Sequence, residues 1–214
     1  MATNIGYWEQ VLQSPTPAYQ ALFEAEQQYL LDNIQPDSKV LDIGCGEGRN
    51  MATILKRTEF VFGIDNDQVA VDDALKNFQG LDNVKVLKAE AVDLPFEDEL
   101  FDTITFLMIL PNLENTKQEA FNESARVLKN GGMFILSTFS ETAFEERMNI
   151  YKQVGVGIEK IEGTKIIFAK ELGANTSEQF SLEELENFAN AAGLEMKDNI
   201  KVGELAYICK FIKS

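Results

Sequence analysis

The residues with the most chemistry to offer sit close together. Val40-Leu41-Asp42-Ile43 reads as a buried strand, and it runs into Gly44-Cys45-Gly46-Glu47-Gly48 before a helical pattern begins at Arg49. Alternating glycines permit positive φ and bring the backbone close to a ligand. The spacing is G-x-G-x-G. A dinucleotide loop is G-x-G-x-x-G, and its third glycine would fall where this chain has Arg49. No Gly-Lys-Ser/Thr follows, so the loop is not a P-loop either. Asp42 and Glu47 add two carboxylates, which repel a diphosphate and suit a ligand carrying an ammonium and a sulfonium.

A second acid, Asp65, ends the next strand in Phe62-Gly63-Ile64-Asp65-Asn66-Asp67. A carboxylate there can accept both hydroxyl hydrogens of a ribose. That role suits nicotinamide cofactors and other adenosine ligands equally, and the competing role for Asp65 is a helix N-cap. A third acid, Glu90, lies in Lys88-Ala89-Glu90-Ala91-Val92-Asp93-Leu94-Pro95-Phe96.

Composition removes several chemistries. The chain has 214 residues and no histidine, so Ser-His-Asp and Cys-His catalysis and every His-containing metal site are excluded. Its two cysteines, Cys45 and Cys209, form no Cys-x-x-Cys spacing and give no sign of a structural disulfide. The formal net charge is −16, with the excess acid concentrated in residues 1–107. Nucleic-acid binding needs clustered Lys/Arg, and no such run is present. No apolar stretch reaches the about 18–20 residues that span a bilayer. Met1–Gln10 shows neither a basic start nor an apolar run, so we expect no secretory signal, no membrane partner and a cytoplasmic location.

The elements that must position these residues alternate. Lys39–Ile43, Phe60–Asp65, Val84–Ala89, Thr103–Leu107 and Met133–Phe139 read as buried strands, with helices over Arg49–Lys56, Gln68–Phe78 and Thr116–Leu128. That order implies a parallel sheet covered by helices on both faces. Thr16-Pro17 starts an earlier helix that ends before Pro36, with Leu22, Tyr29 and Leu30 on one side. Thr116-x-x-Glu119 and Ser181-x-x-Glu184 have the form of capping boxes. The apolar stripe after Ser181 stops at Gly193. Leu194–Val202 and Leu205–Ile212, joined near Gly203-Glu204, predict a closing antiparallel pair.

We divide the single domain into an N-terminal helical cap (1–35), a cofactor-binding core (36–139), an insert (140–180), and a final helix and strand pair (181–214). The insert follows a strand's carboxyl end, the edge where open α/β sheets bind ligands. It predicts a helix over Thr142–Gln153 and a hairpin of Gly157–Ile161 with Lys165–Ala169. It reads either as a lid over the substrate or as a packed surface hairpin.

The D-x-G-x-G-x-G run from Asp42, the acid Asp65, the acid-Ala and Leu-Pro-Phe pattern at Glu90–Phe96, and Phe101-Asp102 together resemble the class I, Rossmann-like S-adenosylmethionine-dependent methyltransferases, over about Val40 to Gly132. The Gly48-Arg49-Asn50 stretch also resembles the tellurite-resistance type of that family, over a shorter span. The resemblance implies a three-layer α/β fold with a seven-stranded sheet, mostly parallel with the last strand antiparallel. It implies S-adenosylmethionine as cofactor and S-adenosylhomocysteine as product. By the same resemblance, Gly44, Cys45 and Gly46 line the cofactor with backbone and Asp42 supports its amino end. Asp65 takes the ribose, Glu90 the adenine amino group and the Ala91 N–H an adenine ring nitrogen. Phe106 and Leu107 lie beside the methionine and methyl group. Gly48 and Asn66 complete the set. Tyr7 and Trp8 near the N-terminus either cap the cofactor, face the acceptor or cover the core, and Tyr151 and Phe168 belong either to the lid or to the core.

Three positions depart from the family pattern. Glu90 stands where Asp is more usual, Pro111-Asn112 where relatives carry a His pair, and Asn130 where Pro is usual in a helix-to-strand turn. Methyl transfer is an in-line displacement that needs positioning above all, so the missing His does not exclude it. No catalytic base or metal is assigned. The expected acceptor is a small molecule, and the oligomeric state is left open. A nicotinamide-dependent oxidoreductase and a non-catalytic scaffold or sensor that binds the same cofactor are the alternatives.

Overall fold

A computed structural model describes residues 7–169 and 176–214, and for residues 7–9 the backbone alone. Strands β1 (Lys39–Ile43), β2 (Phe60–Asp65), β3 (Val84–Lys88), β4 (Phe101–Leu107), β5 (Leu128–Phe139), β9 (Leu194–Val202) and β10 (Ala206–Lys213) form one sheet in the order β3-β2-β1-β4-β5-β10-β9. The pairs β1–β2, β2–β3, β1–β4 and β4–β5 are parallel. β10 is antiparallel to both β5 and β9, so it is the one reversed strand. The expected mixed sheet with an antiparallel last strand is therefore what forms.

The order reverses between β1 and its neighbours β2 and β4, which opens a crevice at their carboxyl ends. Helices α2 (Pro17–Asn33), α3 (Arg49–Ile54) and α4 (Gln68–Asn77) share one apolar core. On the other face, α5 (Lys117–Val127) and α7 (Leu182–Ala191) share a second. A short helix, α1 (Tyr7–Gln13), precedes α2.

Local signals explain most helix ends. Thr16 Oγ1 accepts from the Tyr19 N–H at 3.5 Å, with Pro17 in the first turn. Ser181 and Glu184 close a full capping box. The Thr116 box does not form. Thr116 has φ −103° and ψ 15°, away from the extended geometry a cap needs, and its hydroxyl donates to Leu113 O instead. The helix expected over Thr116–Leu128 ends at Val127. β5 already begins at Leu128, which is fully buried and pairs with Phe101 across an irregularity in β4.

The insert forms α6 (Phe144–Gln153) and a separate small sheet of β6 (Ile158–Glu162), β7 (Lys165–Phe168) and β8 (Thr176–Ser177). Its two ends meet where the Phe180 N–H donates to Phe139 O at 3.0 Å. Arg147 on α6 is wholly buried, lies over the Phe139 ring at 5.0 Å, and donates to Thr164 O, Gln179 Oε1, and Ser177 O and Oγ. Tyr151 and Phe168, 5.2 Å apart edge to face, share the core with Tyr19 and Leu22 of α2.

Candidate functional site

The site starts from the turn that follows β1. Gly44 and Cys45 both donate backbone N–H to Ile64 O, at 2.8 and 2.9 Å, so the loop is fastened to β2 as soon as it leaves the strand. Gly44, Gly46 and Gly48 have φ of 72°, 55° and 97°, which favours glycine at all three. A Cβ on Gly44 would meet Ile109 Cδ1 at 2.1 Å, and one on Gly48 would meet the Phe78 ring at 2.2 Å. A Cβ on Gly46 would meet nothing within 4 Å, so that residue offers bare backbone to a ligand.

Asp65 organises the same turn. Its Oδ2 accepts from the Gly46 N–H at 2.8 Å and its Oδ1 from the Asp67 N–H at 2.9 Å. Each carboxylate oxygen can accept again, so capacity for a vicinal diol remains. The N-cap of α4 is Asp67, whose Oδ1 accepts from the Val69 N–H at 2.9 Å. The capping role weighed for Asp65 thus belongs to its neighbour. Asn66 Nδ2 donates to Glu90 Oε2 at 3.2 Å, joining the ends of β2 and β3 at an exposed edge. Ala91 is half-buried next to Glu90.

Asp42 is almost wholly buried. Thr105 Oγ1 donates to its Oδ1 at 2.6 Å, while its Oδ2 has no partner. Burial lifts the carboxyl to about 7; Thr105 and Arg49 pull it down, and Glu26 and Asp65 push it up. The Cys45 thiol is also raised by burial. Its Sγ lies where a Cβ on Gly63 would come within 2.8 Å, so the side chain points toward β2 and the loop contributes backbone there.

At the end of β4, Phe106 has no exposed surface, and its ring packs 5.8 Å from Phe134 in the core beneath α5, so its side chain faces away from the α2 side of the sheet. Side chains alternate along a strand. Leu107 and Met108 fall on the opposite face, in the core shared with α2. Tyr7 and Trp8 lie in α1, and their side chains lie outside the described residues.

Three residues that the sequence does not single out, Met108, Ser137 and Glu26, join Arg49 beside the loop. Met108 takes a positive φ of 60°, and its N–H donates to Ser137 O at 3.0 Å and Oγ at 3.1 Å. Ser137 Oγ donates to Glu26 Oε1 at 2.6 Å. Glu26 Oε2 pairs with Arg49 Nη2 at 3.0 Å, and the guanidinium lies over the Phe23 ring at 4.6 Å. Glu26 sits four residues from both Leu22 and Leu30, and an acid on that buried face is the signal that could have found it. Arg49 was visible as the residue that breaks the dinucleotide pattern.

The donor set fits an amino-acid-bearing sulfonium nucleoside. Asp65 has acceptor capacity left over, Gly46 offers a bare backbone cradle, and the buried Asp42 adds an acid behind the loop. Among the described residues no group of three His, Cys, Asp or Glu side chains is placed to hold a metal, and no helix is long and apolar enough to cross a membrane.

Comparison with known proteins agrees. A family profile described as a methyltransferase domain matches residues 34–193. The ubiquinone/menaquinone biosynthesis C-methyltransferase UbiE of Vibrio vulnificus (strain YJ016) is 32% identical over 123 residues, covering 55% of this chain and 47% of that protein. The chain spans about half the length of that relative and rather less, 41%, of a demethylmenaquinone methyltransferase of Clavibacter sepedonicus. Among solved structures, the PH0226 protein of Pyrococcus horikoshii OT3 aligns with a TM-score of 0.72 at 22% identity, covering 94% of this chain and 93% of that one. The 1,6-didemethyltoxoflavin-N1-methyltransferase of Burkholderia thailandensis, solved with 1,6-didemethyltoxoflavin and S-adenosylhomocysteine, aligns with a TM-score of 0.70 at 16% identity, over 95% of this chain and 81% of that one. At these identities the structural matches speak for the fold.

Proposed function

This chain belongs to the class I, Rossmann-like family of S-adenosylmethionine-dependent methyltransferases, and on that premise we propose that it moves a methyl group to a small-molecule acceptor. The observation that carries this reading is the Asp65 carboxylate, which holds the bare Gly46 backbone at the end of β2 with acceptor capacity to spare, beside a loop backed by a second acid in Asp42. Acids at that loop suit a cationic amino acid and repel a diphosphate.

S-adenosylmethionine supplies a methyl carbon already activated by a positive sulfur. The chain's own residues then bind and orient. Asp65 holds the ribose hydroxyls while keeping Gly46 in place, so one side chain shapes the cradle and fills it. Glu90, steadied by Asn66, faces the adenine amino group, and the Ala91 N–H faces a ring nitrogen. Gly44, Cys45 and Gly46 present backbone to the methionine portion, with Gly48 turning the chain into α3 and Leu107 on the far side. Residues 1–35 form the cap, 36–139 hold the cofactor, 140–180 cover the acceptor, and 181–214 complete the sheet.

Small acceptors are favoured because one of the relatives is named for ubiquinone and menaquinone biosynthesis. The insert also packs against α2, beside the carboxyl ends of β4 and β5. A net charge of −16 works against a nucleic-acid acceptor. The test is transfer of a labelled methyl group from S-adenosylmethionine to a panel of quinols, sterols and small amines. The reading expects label on at least one of them. Binding of the cofactor with no transfer across the panel would favour the scaffold or sensor.

A further inference from the structure

The seven-stranded sheet has two outer edges, β3 and β9, and they differ. β9 carries both signs of charge, in Glu195, Lys197, Asp198 and Lys201, and one exposed large apolar side chain, Ile200. An irregularity between Lys210 and Phe211 also interrupts its ladder. Such features keep an edge from pairing further. β3 has no acid in Val84–Lys88 and an unbroken register with β2. Five of the seven large apolar side chains exposed among the described residues gather beside it. Phe60, Val69, Leu75, Leu81 and Leu87 belong to β2, α4, β3 or the turn between the last two.

The Val61 N–H donates to Asn83 O, and the Ala89 N–H donates to Asp65 O. Alternate residues of a parallel strand bond to the same neighbour, so Lys85 and Leu87 also face β2. The backbone N–H and C=O groups of Val86 and Lys88 then point outward, where no other described strand meets them. Side chains alternate too. Lys85 and Leu87 lie on the face of Phe60 and Phe62, with the Lys85 ammonium 5.6 Å from the centre of the Phe62 ring. Val86 and Lys88 lie on the face that α4 covers. Asn77 of α4 turns toward the glycine loop, donating to Glu47 O at 3.0 Å, and Leu75, two residues earlier, stands on the outer side of that helix. Both lysines are exposed, and neither is in an ion pair among the described residues.

We propose that β3 is a docking edge, to which an extended acidic segment of a partner protein adds as a further strand. Backbone pairing at Val86 and Lys88 sets its register. Its apolar side chains cover Phe60 and Leu87 on one face of the sheet and Leu75 on the other. Its carboxylates meet Lys85 on the first face and Lys88 on the second. Lysines alone would only blunt the edge, whereas exposed apolar surface on both faces is what a covering strand accounts for. A second copy of this chain fits poorly. β3 against β3 sets lysines near lysines, with no acid in either strand.

A peptide of repeated Glu-Glu-Val-Val puts acid and valine alternately on each face of a strand, and a Lys-Lys-Val-Val peptide reverses the charge. Each is titrated into the isotope-labelled chain, with amide exchange followed by NMR. The acidic peptide should slow exchange at the Val86 and Lys88 amides and bind more tightly than the basic one. Lys85→Glu and Lys88→Glu, both at exposed positions, should each weaken the acidic peptide by up to about fivefold, the range for an exposed ion pair. The double variant should prefer the basic peptide. No slowing at those amides with millimolar acidic peptide would overturn the proposal, and so would equal affinity for the two peptides. A chain that sediments as a dimer, with the same amides protected before any peptide is added, would assign the edge to a second copy and overturn it as well.

Discussion

Asp42 has almost no contact with water, yet one of its oxygens has no donor. Burial lifts its carboxyl from the ordinary range to about 7, so near neutral pH it is divided between protonated and ionised forms. A cationic ligand favours the ionised form, and binding should release the proton. Arg49, Glu26, Asp65 and the Thr105 hydroxyl are the groups that act on it. Apparent affinity for S-adenosylmethionine should therefore rise by up to about tenfold as pH climbs from 6 to 8, through that pKa. Asp42→Asn should flatten the profile. A wild-type profile already flat over that range would contradict the assignment. In the absence of ligand the sign reverses. The folded chain holds this proton more tightly than the unfolded chain does, so the contribution to stability is full below the unfolded value and is lost as pH rises toward 7.

At this scale the sequence was legible wherever the chemistry is local. Asp42, the three glycines and Asp65 lie on two adjacent strand-to-turn segments, and spacing alone placed them together. Ser137 and Glu26 stand 111 residues apart in sequence, and only the packing of α2 on the sheet joins them. The face that the Phe106 ring takes was not legible, because naming a strand end does not say which way its side chain points.

Among the elements, the turn from β1 into α3 is the most constrained. Gly48 combines φ of 97° with a Phe78 ring atom 2.2 Å from where a Cβ would lie. Gly48→Ala should cost about 2–4 kcal/mol, from left-handed strain and overpacking together. The measurement is the urea midpoint, and an unchanged midpoint would show that Phe78 and the loop yield freely. Helix and strand positions were readable because each apolar run has one periodicity. Their ends were less so. Thr116 has the residues of a capping box without the backbone angles. Leu128 joins β5 early because its partner across the sheet, Phe101, is out of step with the rest of β4. A capping sequence specifies only what its own backbone allows, and a strand start depends on a neighbour that the local sequence does not contain.

For the whole molecule, the order β3-β2-β1-β4-β5-β10-β9 puts Asp42, Asp65 and Glu90 at the carboxyl ends of three neighbouring strands. Alternation of strand and helix made that arrangement readable. The insert was readable only as a helix and hairpin. That it shares its core with Tyr19 and Leu22, and that Arg147 binds its pieces together, depends on contacts between distant segments. Which nucleotide the glycine loop holds decides what the molecule does. Calorimetric titration of the purified chain with S-adenosylhomocysteine and, separately, with NAD decides it. Saturable binding of S-adenosylhomocysteine at one site per chain, lost in Asp65→Ala, with no heat from NAD, is the predicted result. Binding of NAD, or no binding of S-adenosylhomocysteine, would contradict it.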